Sequence, residues 1–334
     1  DPHLVHGYMP NAGFESTRSA VAENLNKRFG SEFTSENIIM TVGAGSSINV
    51  IMKTIFDPGD KQVVFAPYFV EYANWASNYH AETVVVPPNE ENGFEPDPEA
   101  LKKALDPKVK VVIINNPNNP TGAIYSRETL EKIAEVLKEA EKEFGHPIYI
   151  ITDEPYRELV YVDKEIVFIP DLYDNTIIAY SWSKSLSIPG DRLGYLAVSP
   201  KSDNVEEFMA AATVANRISG DTNAPSIIQL AVERCLDAQV DIPYYKKNAE
   251  DLYKIVTEAG FTAVVPQGAF YLWVKSPVAD EKELVAAAKE ERILAVPGSA
   301  FACPGYIRLS FCIANETIHR SAESFAKLGK KYFG

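Results

Sequence analysis

Apolar positions fall into two rhythms along this chain. From Ile38 onward, short unbroken apolar runs alternate with segments whose apolar residues recur at helical spacing. The unbroken runs are Ile38 to Thr41, Gln62 to Phe65, Thr83 to Val86, Val109 to Asn115, Ile148 to Thr152, Thr176 to Tyr180 and Gly194 to Val198. Runs of this kind predict strands buried on both faces. Helices are predicted over Phe14 to Phe29, from Ile48 until Asp57-Pro58-Gly59 stops the pattern, over Tyr68 to Asn78, and over Ser126 to Phe144. The alternation predicts an α/β fold, with a mostly parallel sheet sandwiched by helices.

After Val198 the alternation weakens. Helical patterns near Val205 to Ala215, Ala224 to Leu236 and Tyr244 to Ala259 lead into short strand-like runs at Thr262 to Val265, Ala269 to Lys275, Ile293 to Val296 and Tyr306 to Phe311. A last helix is predicted over Glu316 to Tyr332. These segments predict a smaller C-terminal α+β domain, residues 243–334, beside a large domain of residues 1–242, with the helix from Tyr244 as the bridge. The sequence has no internal repeat, low-complexity tract or flexible linker, so the two domains are expected to pack closely.

Composition narrows the function. With 334 residues and 46% apolar content the chain can bury a large core. It holds no apolar run near the roughly 18 residues of a membrane span and no leader-like start. A net charge of -14 disfavours a nucleic-acid surface, which needs clustered Lys and Arg. Three cysteines and five histidines show no metal-ligand spacing. The expectation is a cytoplasmic small-molecule enzyme with no metal, no membrane and no nucleic-acid partner.

Ligands of such sheets sit at the carboxyl ends of the strands. There this chain carries Gly43-Ala44-Gly45-Ser46-Ser47, Pro67-Tyr68-Phe69 with Tyr72 behind it, Asn115-Asn116-Pro117-Asn118-Asn119-Pro120-Thr121-Gly122, Asp153-Glu154-Pro155-Tyr156, and Ser181-Trp182-Ser183-Lys184 running on to Arg192. The small-residue turn before a helix makes an anion cradle of free N–H groups. Lys184 in a desolvated turn is a usable nucleophile and base, and Ser181 with Arg192 forms an anion site beside it. Each stretch also has a plainer reading: a tight turn, a helix cap at Asp153, a core ring at Phe69, a solvated Lys and Arg. Their coincidence at several strand ends favours one crevice.

These residues, in the pattern S-x-S-K-x7-R-x-G-Y together with NPTG, resemble the fold-type I pyridoxal-phosphate enzymes, specifically the class I/II aminotransferases of the aspartate and aromatic kind. The resemblance spans essentially the whole chain. It implies the fold type I architecture, pyridoxal 5'-phosphate as cofactor, and amino acid and 2-oxo acid substrates. Lys184 takes the place of the Schiff-base lysine, Asp153 that of the carboxylate pairing the pyridinium nitrogen, and Tyr156 and Asn119 those of the groups on the phenolate oxygen. Phe69 stands where the ring-stacking aromatic is, in many relatives a Trp. Ala44, Gly45, Ser181 and Arg192 match the phosphate site, and Tyr8 the tyrosine reaching the phosphate of a neighbouring subunit, which implies a homodimer with shared active sites. Arg308 matches the arginine gripping the substrate α-carboxylate, and Asn119 is expected to contact the substrate as well. Tyr72 is expected to line the substrate pocket. Arg217 lies where some relatives place a cross-subunit arginine, and a salt bridge there is the alternative. The family's N-terminal arm has no counterpart before Tyr8.

Transamination between an L-amino acid and a 2-oxo acid is the activity implied. A β-eliminating carbon-sulfur lyase on the same fold is an alternative, and an effector-binding domain of a regulator a more distant one.

Overall fold

The computed structural model describes residues 5–334. Strands β1 (Ile38–Thr41), β2 (Lys61–Phe65), β3 (Glu82–Val86), β4 (Val109–Asn115), β5 (Tyr149–Asp153), β6 (Thr176–Ser181) and β7 (Gly194–Val198) form one sheet in the order β1-β7-β6-β5-β4-β2-β3. β2 to β6 run parallel, whereas β7 lies antiparallel between β6 and β1. The reason is the connection. Between Ser181 and Gly194 the chain holds only the short helix α6 (Trp182–Ser185) and a turn at Pro189–Asp191, too little for a packed crossover, so it folds straight back.

Helices cover both faces, because successive strand residues point to opposite sides. Ile113 and Ile151 pack with α2 (Ala44–Ile55), α3 (Glu71–Ser77) and α7 (Val205–Asn216). Ile114 and Ile150 face α4 (Pro98–Ala104) and α5 (Arg127–Phe144). On that second face α1 (Glu15–Phe29) covers Ile38, Met40 and Ile178. Fully burying one such aliphatic side chain contributes about 1.5–3 kcal/mol, so the sheet faces are the stable scaffold on which the strand-end loops sit.

Beyond α8 (Ser226–Val232), α9 (Ile242–Glu258) begins with Asp241 accepting from the Tyr244 N–H at 3.0 Å. A second sheet, β8 (Tyr271–Lys275), β9 (Val296–Pro297) and β10 (Tyr306–Ser310), is antiparallel with β10 in the middle. It packs with α9, α10 (Glu281–Glu290), α11 (Asn315–Arg320) and α12 (Ala322–Phe333) in one core that also takes in Tyr156 and Leu159. The bridge Val160–Gly268 and the bonds from Gln267 and Gly268 N–H to Gly122 O tie it to the loops after β4 and β5. Gly122 is needed there: its φ is 71° and a Cβ would lie 2.9 Å from Gly268 O.

Four expectations differ. Of the predicted strand Ile293 to Val296 only Val296 is in a strand, at the start of β9. Thr262 to Val265 forms no strand: Ala263 alone bridges Val274, and Val265 stays exposed. The last helix is interrupted at Ser321, whose hydroxyl donates to Ile318 O at 2.6 Å and ends α11. α4 and α10 lie outside the predicted helices. Among the described residues no helix is long and apolar enough to cross a membrane.

Candidate active site

The carboxyl ends of β4, β5 and β6, the start of α2 and the centre of β10 enclose a cavity of about 300 Å³. Lys184 lies one residue before the end of α6, with its ammonium 5.1 Å from the centre of the Phe270 ring. Burial lowers its pKa, and Arg192 and Arg308 act in the same direction. Ser181 caps α6: its hydroxyl accepts the Ser183 N–H at 3.0 Å and donates to Ser183 Oγ at 2.6 Å.

Ala44 and Gly45 open α2, which has no side-chain cap, so its first N–H groups and positive dipole end face the cavity. Arg192 crosses this end. It donates to Pro189 O and Val42 O, both at 2.9 Å, which holds it in a left-handed backbone conformation with φ 54°. A non-glycine residue there costs on the order of 1–3 kcal/mol, offset by those bonds. Gly43 makes room: its φ is 104° and a Cβ would sit 2.7 Å from Arg192 Nη2.

At the other end Asp153 closes β5, 6% exposed. Its Oδ2 accepts from Tyr72 OH, and its Oδ1 is buried with no partner. Burial pushes its pKa from 3.8 up to about 7; the Tyr72 bond opposes the shift and Glu154 adds to it. Asn115 ties the neighbouring loops together, donating to Asp153 O at 2.9 Å and accepting the Asn119 N–H at 2.7 Å. Asn118 closes the turn through Thr121, leaving the Asn119 side chain to the cavity. There Asn119 Oδ1 accepts from Arg308 Nη1 at 2.8 Å.

Arg308 stands at the middle of the small sheet, opposite Trp273 on β8 and Val296 on β9. Its guanidinium lies 4.2 Å from the Tyr271 ring centre and 4.7 Å from that of Phe301. Stacking of this kind fixes the plane of the fork while leaving its edge to bind a carboxylate. Tyr156 OH and Tyr271 OH are 3.1 Å apart, and burial raises the pKa of both phenols, so both stay protonated.

The family described as Aminotransferase class I and II matches residues 1–325. The aspartate/prephenate aminotransferase of Thermus thermophilus is 33% identical over 96% of this chain and 83% of its own length. The aspartate aminotransferase of Bacillus subtilis is 31% identical, over 97% and 84%. The crystal structure of an amino transferase from Eubacterium rectale superposes with a TM-score of 0.97 at 40% identity, covering all of this chain and 84% of that one. Thermus thermophilus aspartate aminotransferase with maleate gives 0.89 at 30% identity, covering 98% and 85%. The chain belongs to the class I and II aminotransferases. It is an enzyme of amino-group transfer, and neither the lyase nor the regulator alternative is favoured.

Of the positions singled out by resemblance to this aminotransferase family, Ala44, Gly45, Phe69, Asn119, Asp153, Tyr156, Ser181, Lys184, Arg192 and Arg308 all line the one cavity. Tyr72 does not. It is 2% exposed and lies behind the wall on Asp153, because α3 turns that side chain toward the sheet core. Tyr8 stands 93% exposed, outside the cavity of its own chain. Arg217 donates to Asn11 Oδ1 at 2.9 Å rather than to a carboxylate. Trp75 and Tyr271 also line the cavity and were not anticipated. Tyr271 sits in an apolar run and Trp75 at helical spacing from Tyr72, where an aromatic reads as core. Trp75 lies over the start of α2, and a Cβ on Gly45 would come within 3.2 Å of its ring.

Proposed function

We propose that this aminotransferase uses pyridoxal 5'-phosphate, held at Lys184, to move an amino group from an L-amino acid to a 2-oxo acid. The single observation carrying this reading is Asp153 Oδ1: a buried carboxylate oxygen without a partner is costly unless a donor arrives, and a protonated ring nitrogen is such a donor. The other end suits a phosphate, with the free N–H groups of α2, the Ser181 hydroxyl and the Arg192 guanidinium.

When bound, the cofactor supplies a carbonyl to receive the amino group and a ring that stores the electron pair released at the substrate Cα. The chain's own residues do the rest. Lys184 Nζ, with its depressed pKa, would hold the cofactor and, once the substrate's own amine has displaced it, would be the free base that takes the proton from Cα and returns it during transfer. Asp153 holds the ring nitrogen protonated. Asn119 and Tyr156 hydrogen-bond the cofactor's phenolic oxygen, and Phe69 covers the ring. Arg308, oriented by Asn119, Tyr271 and Phe301, grips the substrate α-carboxylate in two places. Tyr8 completes the phosphate site of a second copy of the chain, which makes the enzyme a homodimer. The large unit ends at residue 242 and the unit carrying Arg308 begins at 243.

Borohydride reduction of the loaded protein followed by peptide mapping tests the reading. The cofactor mass is expected on the peptide containing Lys184. Labelling of another lysine, or of none, contradicts it.

A further inference from the structure

We propose that Tyr72 is a positioning residue for the cofactor site: its hydroxyl holds Asp153 Oδ2, so that Oδ1 remains turned into the cavity as the acceptor for the cofactor's ring nitrogen. This rests on the reading of the cavity as a pyridoxal-phosphate site.

The two oxygens of Asp153 are unequal. Oδ2 accepts from Tyr72, and Oδ1 has no partner although it is buried. A carboxylate with neither oxygen held turns about its Cβ–Cγ bond and offers no fixed acceptor. With one oxygen bonded from behind, the other has a single direction.

Tyr72 is built to stay put. Its ring lies 5.7 Å from that of Phe69 and 6.0 Å from that of Trp75, and its carbonyl accepts from Gln62 Nε2 at 2.8 Å. Gln62 in turn donates to Thr83 Oγ1 at 2.9 Å. The phenol is a constant donor, since burial first and Asp153 second hold its pKa well above the ordinary value. The other ionisable groups around the carboxylate do not donate to it: Glu154 is bonded elsewhere, Tyr156 faces Tyr271, and Lys184 and Arg308 line the cavity.

A double-mutant cycle tests the assignment. Wild type, Tyr72→Phe, Asp153→Asn and the double variant are prepared without cofactor, their melting temperatures recorded, and each titrated with pyridoxal 5'-phosphate. Tyr72→Phe keeps the ring packing, and is expected to weaken cofactor binding by roughly 10- to 100-fold, as for a lost charge-assisted hydrogen bond. In the Asp153→Asn background the same change is expected to cost nothing further. Wild-type affinity in Tyr72→Phe, or losses that multiply in the double variant, overturns the proposal. If Tyr72→Phe fails to fold, recovery of folding in the double variant upholds it, because Asn removes the carboxylate that Tyr72 serves; failure of both overturns it. A wild-type protein that takes up no cofactor overturns the proposed function and this inference together, whereas an unaffected Tyr72→Phe in a protein that binds the cofactor overturns this inference alone.

Discussion

Two carboxylates meet at the end of β5, one on each side of the strand. Asp153 and Glu154 are 6% and 3% exposed, equal in burial and adjacent in the chain. Glu154 is fully engaged: Oε1 accepts from Thr152 Oγ1 at 2.7 Å and Oε2 from Arg157 Nε at 2.5 Å. Arg157 is itself stacked 4.7 Å from the Tyr180 ring centre and 5.3 Å from that of Phe29, with Nη1 on Tyr195 OH at 3.3 Å. Asp153 has one oxygen satisfied and one vacant. Burial and charge do not tell these two carboxylates apart. Hydrogen bonding of the carboxylate oxygens does: both oxygens of Glu154 already accept a bond, whereas Asp153 keeps one acceptor to offer a ligand.

The largest effect is expected for Glu154→Ala. It strands a buried guanidinium, so the folded state should lose roughly 3–5 kcal/mol. Urea denaturation measures it, and cofactor affinity of the molecules that remain folded should be close to wild type. A variant that is stable but fails to bind the cofactor would erase the distinction.

The pH dependence of the cofactor-free protein comes next. The native pKa of Asp153, about 7, lies above its ordinary 3.8, so the folded protein holds this proton more tightly than the unfolded chain. The contribution to stability is complete below about pH 3.8 and is lost as pH rises through about 7. Asn does not titrate. The unfolding free energy of Asp153→Asn, followed through its melting temperature, should therefore rise relative to wild type across that window and level off above it, by at most on the order of 4 kcal/mol. The opposite slope would mean that the carboxylate is stabilised in its charged form before any cofactor arrives.

Asp153→Asn should also lower the rate of amino-group transfer by about 100-fold or more, as when one preorganised electrostatic partner is removed from a reacting site. Steady-state kcat with a saturating amino donor reads this out, with the fold intact by circular dichroism. The smallest effect is expected for Tyr195→Phe, which removes only the long bond to Arg157 at 3.3 Å. Less than about 1 kcal/mol should be lost in denaturant titration, with no change in kcat.

The strands of the large sheet were legible because burial on both faces leaves unbroken apolar runs: β1, β4 and β7 have the predicted bounds. The reversed direction of β7 follows from the brevity of its connection, which is geometry rather than pattern. α4 escaped notice since Leu101 is its one buried residue, too few for a period, although Asp97 before Pro98 is a cap signal. Site residues at strand ends were legible as chemistry out of place, an amine, a carboxylate and an amide in turns. Tyr72 lies behind the wall it is expected to line, because a seven-residue helix does not reveal from sequence which face meets the ligand. Arg308 needed the resemblance, since nothing in Tyr306 to Ser310 alone says that the small sheet folds over the large one.

A single half-reaction distinguishes amino-group transfer at Lys184 from every other use of this cavity. Protein loaded with pyridoxal 5'-phosphate is mixed with an amino acid, with aspartate and an aromatic amino acid as first donors, in the absence of any 2-oxo acid. The expected result is one equivalent of 2-oxo acid per site, conversion of the cofactor's absorbance to that of its amine form, no ammonia, and a loss of about 1,000-fold or more in rate for Lys184→Ala. Release of ammonia, or near-normal turnover without Lys184, would contradict it.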